Sequence, residues 1–259
     1  RKLCGDSKEA DDVAIEQCAP ASYEGQQPAI DQKLLKQLAP YLKDAKKQRE
    51  QKLGVEVKSE VRRGYDHESA LGNLFADLMI DIVPGADIAL MNGGGIRANL
   101  PAGPLTYGGV FEMMPFDNRF ATAKMTVAEL RFVLEKNLSA QKKGGIVSTA
   151  GLAITISCGA NGKAGVTLTR KDGTVLKDVE TVTVVTTDFV ALGGDGGLGI
   201  AEDRVVVDEG APVREQLVTQ FKKRGGTLRG DDVTLFDPQH PRLAQKTAKG
   251  VISGRCGGT

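Results

Sequence analysis

The chain has 259 residues, of which 41% are hydrophobic, enough for the core of one large domain or two smaller ones and too many for a disordered protein. Its 34 basic and 33 acidic residues almost cancel, which excludes the strongly basic surface of a general nucleic-acid-binding protein. No apolar run approaches the roughly 18 residues that a membrane-spanning helix needs, so no membrane span is predicted.

The four cysteines, Cys4, Cys18, Cys158 and Cys256, are widely spaced and form no CxxC pair, which argues against a zinc site. We expect two disulfides, as in an exported protein that is periplasmic or extracellular. We favour Cys4–Cys18 as a local link and Cys158–Cys256 as a link between the C-terminal tail and the body of the protein. Four buried thiols in a cytosolic protein are the alternative.

The first part of the chain is predicted to precede the main domain. The sequence begins at Arg1 without a signal peptide, so we expect a mature or excised fragment. Residues 1–28 are predicted to be a leader, and residues 29–54 a charged linker helix with an apolar stripe. Pro40 is expected to kink or split that helix, because proline cannot donate a hydrogen bond to the preceding turn.

Strand and helix patterns then alternate, which indicates α/β layering. Residues 55–61 alternate as a strand does, residues 69–82 form an amphipathic helix, and residues 88–91 form a short apolar strand. Residues 100–106 are predicted to be a turn, and residues 107–113 a short helix. We therefore expect an α/β fold in which helices pack against a mixed sheet.

The same alternation continues after residue 120. A strand over 120–125 precedes a helix over 127–141, where Thr126 and Glu129 have the spacing of a capping box. Residues 152–187 are rich in β-formers, with strand patterns over 153–157, 166–170 and 181–186 and a hairpin turn at 171–174.

Three predictions complete the chain. Residues 205–207 form another strand, and a helix over 213–224 begins after a proline and ends at two glycines. The tail from residue 237 to Cys256 is predicted to be irregular.

Two glycine-rich segments stand where apolar strands end. Residues 92–97 read Asn-Gly-Gly-Gly-Ile-Arg, and residues 188–197 include Gly193-Gly194-Asp195-Gly196. Glycines at strand ends permit unusual backbone conformations and a close approach of a ligand. Arg97 can clamp an anion, Asp195 can accept from a hydroxyl, and Phe189 offers a flat apolar face. We predict that the fold brings the two segments together.

No catalytic set is visible in the sequence. The two histidines, His67 and His240, have unrelated contexts, whereas a binuclear metal site needs clustered His, Asp and Asn ligands. The nucleophile elbow, the P-loop and the dinucleotide-binding GxGxxG pattern are absent. We assign no catalytic residue and no metal ligand to this chain, and interpret it as a binding protein.

Four motifs, in this order, resemble the C-terminal domain of the 5′-nucleotidase family, which includes nucleotidases, UDP-sugar hydrolases and cyclic-nucleotide phosphodiesterases. They are Glu68-Ser69-Ala70-Leu71-Gly72-Asn73-Leu74 with Asp77, the glycine segment at 92–97, Pro115-Phe116-Asp117-Asn118, and Asp188-Phe189 with the glycine segment that follows. The resemblance covers residues 68–196, and the preceding helix resembles the linker between the two domains of the family.

The resemblance implies a division of labour. Residues 55–259 are expected to bind a nucleotide or nucleoside, and residues 1–28 to be the end of an N-terminal metallophosphoesterase domain that is missing from the chain. That domain is expected to hold two divalent metal ions, such as Zn or Mn, and to hydrolyse nucleoside phosphates to nucleoside and phosphate. The chain alone is expected to be inactive.

The resemblance also assigns substrate-binding positions. Phe116 and Phe189 match two rings that sandwich the base, Asn92 a residue that contacts the base, and Asp195 one that accepts from ribose hydroxyls. Arg97 matches an arginine near sugar and phosphate. The full set is Asn92, Gly94, Gly95, Arg97, Phe116, Phe189, Gly194 and Asp195, with Arg62 or Arg63 as a further arginine, of which Arg63 is preferred.

Other interpretations stay open at this point. The protein is alternatively a stand-alone nucleoside-binding protein, a relative that acts on sulfur-carrier substrates, or a structural module. At residue level, Phe116 and Phe189 are alternatively ordinary core residues, and Asp195 a residue that shapes a turn. Asp77 is expected to hold the first glycine segment from behind, and both histidines to be satisfied polar residues.

Overall fold

The computed structural model describes residues 22, 24–26, 29, 31–140, 145–247 and 250–257. The chain divides into two compact units, residues 1–48 and 49–259. The predicted leader lies almost entirely outside the described residues. Both cysteines of the predicted Cys4–Cys18 disulfide also lie outside them.

Helix α1, Gln32–Arg49, makes up most of the described part of the first unit. The Asp31 carboxylate accepts two N–H groups of its first turn, at 2.9 and 3.0 Å. Pro40 lies inside this continuous helix, so the alternative that it splits the helix is wrong. The helix is exposed along its length, so water can satisfy the Lys36 carbonyl that Pro40 leaves without a donor.

Among its described residues, the second unit contains three sheets, each with parallel and antiparallel pairs. The strands are β1 Lys52–Ser59, β2 Ile88–Asn92, β3 Gly103–Thr106, β4 Phe120–Thr126, β5 Val147–Ala150, β6 Ala153–Cys158, β7 Ala164–Thr169, β8 Thr181–Thr187, β9 Val205–Val207, β10 Gly226–Arg229, β11 Leu243–Thr247 and β12 Gly250–Ser253. The sheet orders are β10-β1-β3, β5-β2-β8-β4-β9 and β12-β11-β6-β7.

In the described part of this unit, five α-helices pack on these sheets: α2 Ala70–Ile82, α3 Tyr107–Met113, α4 Val127–Leu138, α5 Asp188–Ala191 and α6 Val213–Arg224. The predicted α/β fold is confirmed, with three mixed sheets among the described residues. The boundaries of α3 and α6 coincide with their predicted ranges.

The five-stranded sheet separates two hydrophobic clusters. Along β2, Ala89 and Met91 belong to the cluster that includes α2, whereas Ile88 and Leu90 belong to the cluster that includes α4. Successive side chains of a strand point to opposite faces, so this strand is buried on both sides. A strand held in this way gives a rigid base to whatever follows it.

The capping box of α4 is present as predicted. The Thr126 hydroxyl accepts from the Glu129 N–H, and the Glu129 carboxylate accepts from the Thr126 N–H at 2.8 Å. Arg204 bonds the same carboxylate. The Arg204 hydrogen bond, followed by the Thr126 one, lowers the pKa of Glu129 to about 2. The helix ends at Leu138, three residues before its predicted end.

Five strands were absent from the prediction. Residues 100–106 contain β3 rather than only a turn, and the tail predicted to be irregular contains β11 and β12. β5 and β10 were also missed. Each has four or five residues, and β10 and β11 pair with strands that are distant in the sequence, so local periodicity gives little signal.

The C-terminal tail is joined to the body of the domain as predicted. Cys256 forms a disulfide with Cys158 at the end of β6, and the two cysteines are 98 residues apart in sequence. In the described part of the chain, no helix has the length and apolar character needed to cross a membrane.

Candidate functional site

The two glycine segments meet at one edge of the five-stranded sheet. β2 and β8 are parallel neighbours, with Ile88 opposite Val184 and Ala89 opposite Val185. The carboxyl ends of neighbouring parallel strands lie at the same sheet edge, and such edges commonly form ligand sites. The prediction that the fold brings these segments together is confirmed.

A cavity of about 350 Å³ lies between the two segments. Most of the positions that the sequence assigned to substrate binding line it: Asn92, Gly94, Gly95, Arg97, Phe116, Phe189 and Asp195. The side chains of this set include two aromatic rings, one amide, one carboxylate and one guanidinium. The cavity therefore has both apolar and polar surfaces, as small-molecule sites commonly have.

The first glycine segment is tightly packed. The Gly93 N–H donates to the Ile146 carbonyl at 2.8 Å. A Cβ atom at Gly93 would lie 2.8 Å from the Tyr65 carbonyl oxygen and 2.9 Å from that of Ile146. Side chains are therefore excluded by backbone atoms, and the segment is fixed where it borders the cavity.

The second glycine segment follows the single-turn helix α5, whose N-terminus is capped by Thr187. Here the backbone enters the left-handed region, at φ 110° for Gly193 and φ 53° for Asp195. Glycine adopts this conformation without strain, and Asp is among the side-chain-bearing residues that tolerate it best.

Gly194 has a different role from the one expected of it. It does not line the cavity; a Cβ at this position would lie 2.5 Å from ring atom Cε1 of Phe189. Gly194 therefore provides the space that the Phe189 ring occupies.

A hydrogen bond joins the two segments at the polar side of the cavity. Nδ2 of Asn92 donates to Oδ2 of Asp195 at 2.6 Å. Asn92 is buried at the end of β2, whereas Asp195 lies on the exposed second segment. The pair thus places an amide and a carboxylate together where a polar ligand group can reach them.

The two phenylalanines of the cavity are both half-exposed. The exposed fraction of Phe116 is 40% and that of Phe189 is 50%, so neither is the ordinary core residue that was considered as an alternative. Exposed large apolar side chains that share one concave site are typical of ligand contact surfaces.

Arg97 lies at the exit of the first segment. Its Nη1 donates to the Gly94 carbonyl at 3.1 Å, and its backbone N–H donates to the Met113 carbonyl at 2.8 Å. The guanidinium is exposed and lines the cavity, where it can contact an anionic group.

The further arginine expected upstream is not brought into the cavity. Nη1 of Arg63 donates to the Ile96 carbonyl at 3.0 Å, so Arg63 supports the first segment from outside. Nε of Arg62 bonds Glu60 at 2.8 Å and also lies away from the cavity.

Four lining residues were absent from the predicted set: Tyr65, Met114, Asn118 and Thr187. Asn118 belongs to the Pro-Phe-Asp-Asn motif, so the motif itself was a usable signal. Tyr65 lies in an irregular loop, where no periodicity marks an inward-facing position. Its carbonyl accepts from the N–H of Ile146, whose own carbonyl accepts from the Gly93 N–H, both at 2.8 Å, so Ile146 links this loop to the first glycine segment.

The first motif of the resemblance is structural. Glu68, with an exposed fraction of 2%, accepts from the Asn73 side chain at 2.7 Å and from the backbone N–H groups of Arg242 and Leu243 at 3.1 and 2.8 Å. Asp77 was expected to hold the glycine segment. It instead forms two 2.8 Å hydrogen bonds with Arg242, so the motif anchors the start of β11.

Both histidines are satisfied polar residues. His67 bonds Asp66 and His240 bonds Asp237, each at 2.8 Å. The hydrogen bond from each histidine lowers the pKa of its partner carboxyl. Within the described ranges, no three His, Cys, Asp or Glu side chains are grouped as metal ligands.

Comparison with known proteins agrees with the resemblance. A family model described as the 5′-nucleotidase, C-terminal domain, matches residues 48–202. The chain is 34% identical over 173 residues to the trifunctional nucleotide phosphoesterase protein YfkN of Bacillus subtilis, a match that covers 62% of the chain and 12% of the relative. It is 35% identical over 176 residues to Protein UshA of Yersinia enterocolitica, covering 66% of the chain and 31% of the relative.

A solved structure is also similar. The crystal structure of a 5′-nucleotidase precursor from Thermus thermophilus superposes with a TM-score of 0.63 at 28% identity, covering 76% of this chain and 43% of that one. The chain thus spans less than half the length of each of these three proteins. Because the family match covers more than half of the sequence, the chain belongs to the family of 5′-nucleotidase C-terminal domains.

Proposed function

We propose that this chain recognises a nucleoside or nucleotide in the cavity between the two glycine segments. One observation carries the proposal: Phe116 and Phe189, two half-exposed phenylalanines that are widely separated in sequence, line the same cavity as the Asn92–Asp195 pair. A nucleoside combines a flat apolar base with a polar sugar, and these two surfaces match that combination.

The size and chemistry of the cavity support a nucleoside. Its volume of about 350 Å³ lies within the range of small-molecule sites. Stacking on aromatic side chains contributes about 1–3 kcal/mol per base and tolerates different bases. The Asn92 amide can both donate and accept, which fits the edge of the base or the sugar. The Asp195 carboxylate can accept from ribose hydroxyls, and the Arg97 guanidinium can donate to a phosphate.

We propose further that the chain is the substrate-binding part of a 5′-nucleotidase-type phosphoesterase. Residues 1–28 are the end of an N-terminal metallophosphoesterase domain, and residues 29–54 the linker. Two divalent metal ions, when bound in that domain, would supply the Lewis acidity for phosphate-ester hydrolysis. The present chain binds and orients the substrate. The name of YfkN, a nucleotide phosphoesterase, and the low coverage of the relatives support this division.

An exported location, periplasmic or extracellular, is part of the proposal. The Cys158–Cys256 disulfide supports it, because disulfides persist mainly in oxidising compartments. Mass spectrometry of the purified protein after alkylation without reduction is expected to find no free thiol. Four alkylated cysteines would contradict the exported location.

The deciding experiment is a calorimetric titration of the chain with adenosine and with AMP, alongside a phosphate-release assay with added Mn²⁺ or Zn²⁺. We expect binding without turnover. Phe132→Ala, which removes an exposed phenylalanine of α4 outside the cavity, is expected to leave the affinity for both ligands unchanged.

Other results of this experiment would each contradict a different part of the proposal. Turnover by this chain would overturn the assignment of chemistry to a separate domain. Failure to bind either ligand would overturn nucleoside recognition, and would favour a relative that acts on sulfur-carrier substrates or a structural module. Binding by a protein whose full-length gene encodes no further domain would identify a stand-alone nucleoside-binding protein.

A further inference from the structure

The start of α6 binds the backbone of residues 116–118, the segment that presents Phe116 and Asn118 to the cavity. The Val213 N–H donates to the Asn118 carbonyl at 2.8 Å. Nη1 of Arg214 donates to the Phe116 carbonyl at 3.3 Å, and its Nη2 donates to the Asp117 carboxylate at 2.8 Å. A helix far away in sequence therefore fixes one wall of the cavity.

Arg214 is itself held on several sides. Its exposed fraction is 8%, and its Cζ lies 4.7 Å from the centre of the Phe111 ring. Its Nε bonds Glu215 at 3.2 Å, and Glu215 also accepts from the Tyr107 hydroxyl at 2.6 Å. Buried arginines are rare unless their N–H groups are bonded, and here every nitrogen has a partner. The guanidinium consequently has one orientation.

We infer that Arg214 is a positioning residue for the nucleoside site, acting through Phe116. This inference rests on the proposed function. Arg214 does not line the cavity, so it contributes by restricting the residues that do. The planar fork of arginine reaches a carbonyl and a carboxylate at once, which the single ammonium of lysine cannot reproduce. A wall fixed before binding loses less conformational freedom when the ligand stacks on it.

The first test is a double-mutant cycle with adenosine as the probe. Arg214→Lys is expected to weaken adenosine binding about threefold to tenfold, the equivalent of one lost hydrogen bond. In the Phe116→Ala background, the same change is expected to have less than about a twofold effect, because the group through which it acts is gone.

The matched control is Arg131→Lys. Arg131 likewise bonds a carbonyl, that of Val166 at 2.8 Å, and a carboxylate, that of Asp178 at 2.6 Å, but it lies away from the cavity. Its replacement is expected to leave adenosine affinity unchanged. Equal losses from Arg214→Lys in the parent and Phe116→Ala backgrounds would overturn the inference.

A second readout does not depend on any ligand. The sequence contains no tryptophan, so Phe116→Trp places a single tryptophan at the wall itself, and selective excitation of tryptophan distinguishes it from the four tyrosines. Arg214→Lys is expected to lower the fluorescence anisotropy of this tryptophan and to raise its quenching by acrylamide about twofold, whereas Arg131→Lys changes neither. Unchanged anisotropy and quenching would show that Arg214 does not restrict the wall.

Asp117→Asn provides a second test of the inference in case Arg214→Lys fails to fold. The Asp117 side chain is 81% exposed, so its replacement is compatible with the fold, yet it weakens one arm of the fork. It is expected to shift the same fluorescence readouts in the same direction by a smaller amount, and no shift would also contradict the inference. If the parent chain binds no adenosine, the proposed function fails, while the fluorescence result still decides whether Arg214 fixes the wall.

Discussion

The two glycine segments of the site contain the same residue for different physical reasons. A side chain at Gly93 would meet two carbonyl oxygens within 3 Å, although the backbone there is not left-handed. At Gly193 the position of a Cβ has no neighbour within 4 Å, but φ is 110°. The first segment thus requires glycine for packing, and the second requires it for backbone conformation.

The two segments also differ in burial. Most of the first segment is buried against Tyr65 and Ile146, whereas the second is largely exposed and lies at a strained φ of 53° at Asp195. Strained and exposed segments at a site are the ones expected to adjust when a ligand binds. We therefore expect ligand binding to move the second segment more than the first.

The largest expected effect comes from Gly93→Ala. Its methyl group must displace backbone carbonyls, which is expected to lower the free energy of unfolding by about 1–3 kcal/mol and to abolish adenosine binding. Urea denaturation measures the first effect and calorimetry the second. A variant as stable as the parent would show that the first segment is less tightly packed than the structure indicates.

Phe189→Ala tests the second segment as a binding surface. Loss of one stacking ring is expected to weaken adenosine binding tenfold or more, about 1.4 kcal/mol, without a change in melting temperature, because the ring is half-exposed. Phe132→Ala serves as the control for removing an exposed ring. Equal affinity of variant and parent would remove Phe189 from the site.

A pair of substitutions at Gly193 distinguishes conformation from packing. Gly193→Ala is expected to lower the free energy of unfolding by about 1 kcal/mol, whereas Gly193→Asn is expected to cost less, because asparagine tolerates the left-handed region. At Gly93 the order should reverse, since the larger side chain clashes more. Thermal or urea unfolding of the Ala and Asn variants at Gly93 and at Gly193 measures these losses of stability. If Ala and Asn rank in the same order at both positions, the two glycines do not differ in their physical reason.

Gly94→Ala is expected to have the smallest effect on stability. A Cβ there would lie 3.5 Å from Asp195 and 3.7 Å from Asn92, which are ordinary contacts, and it would project toward the cavity. We expect the free energy of unfolding to change by less than about 0.5 kcal/mol, and adenosine affinity to fall about threefold. Calorimetry measures this affinity, and an unchanged value would contradict the placement of adenosine against Gly94.

Much of this architecture follows from local sequence patterns. The capping box at Thr126 and Glu129 placed the start of α4, and the terminal proline and glycines placed α6. These signals are carried by residues within a few positions of one another. The same holds for the glycine segments, which stand directly after buried strands.

Non-local partners account for what the sequence did not reveal. Asp77 bonds Arg242, which is 165 residues away, and β11 pairs with β6, so neither is detectable from neighbouring residues. Tyr65 joins the cavity because its loop bonds Ile146. The exposure of Phe116 and Phe189 likewise depends on the assembled sheet edge, and sequence alone left a core position open for both.

The Cys158–Cys256 disulfide closes a covalent ring that contains the second glycine segment and α6, while the first segment lies outside it. A protease that cuts once between the two cysteines therefore produces two polypeptides that remain one molecule. Such a nicked protein runs as a single band in non-reducing electrophoresis and as two bands after reduction. If the cut lies between Cys158 and the start of α6 at Val213, the disulfide keeps α6 tethered to the part of the protein whose cavity wall it contacts, and reduction removes that tether.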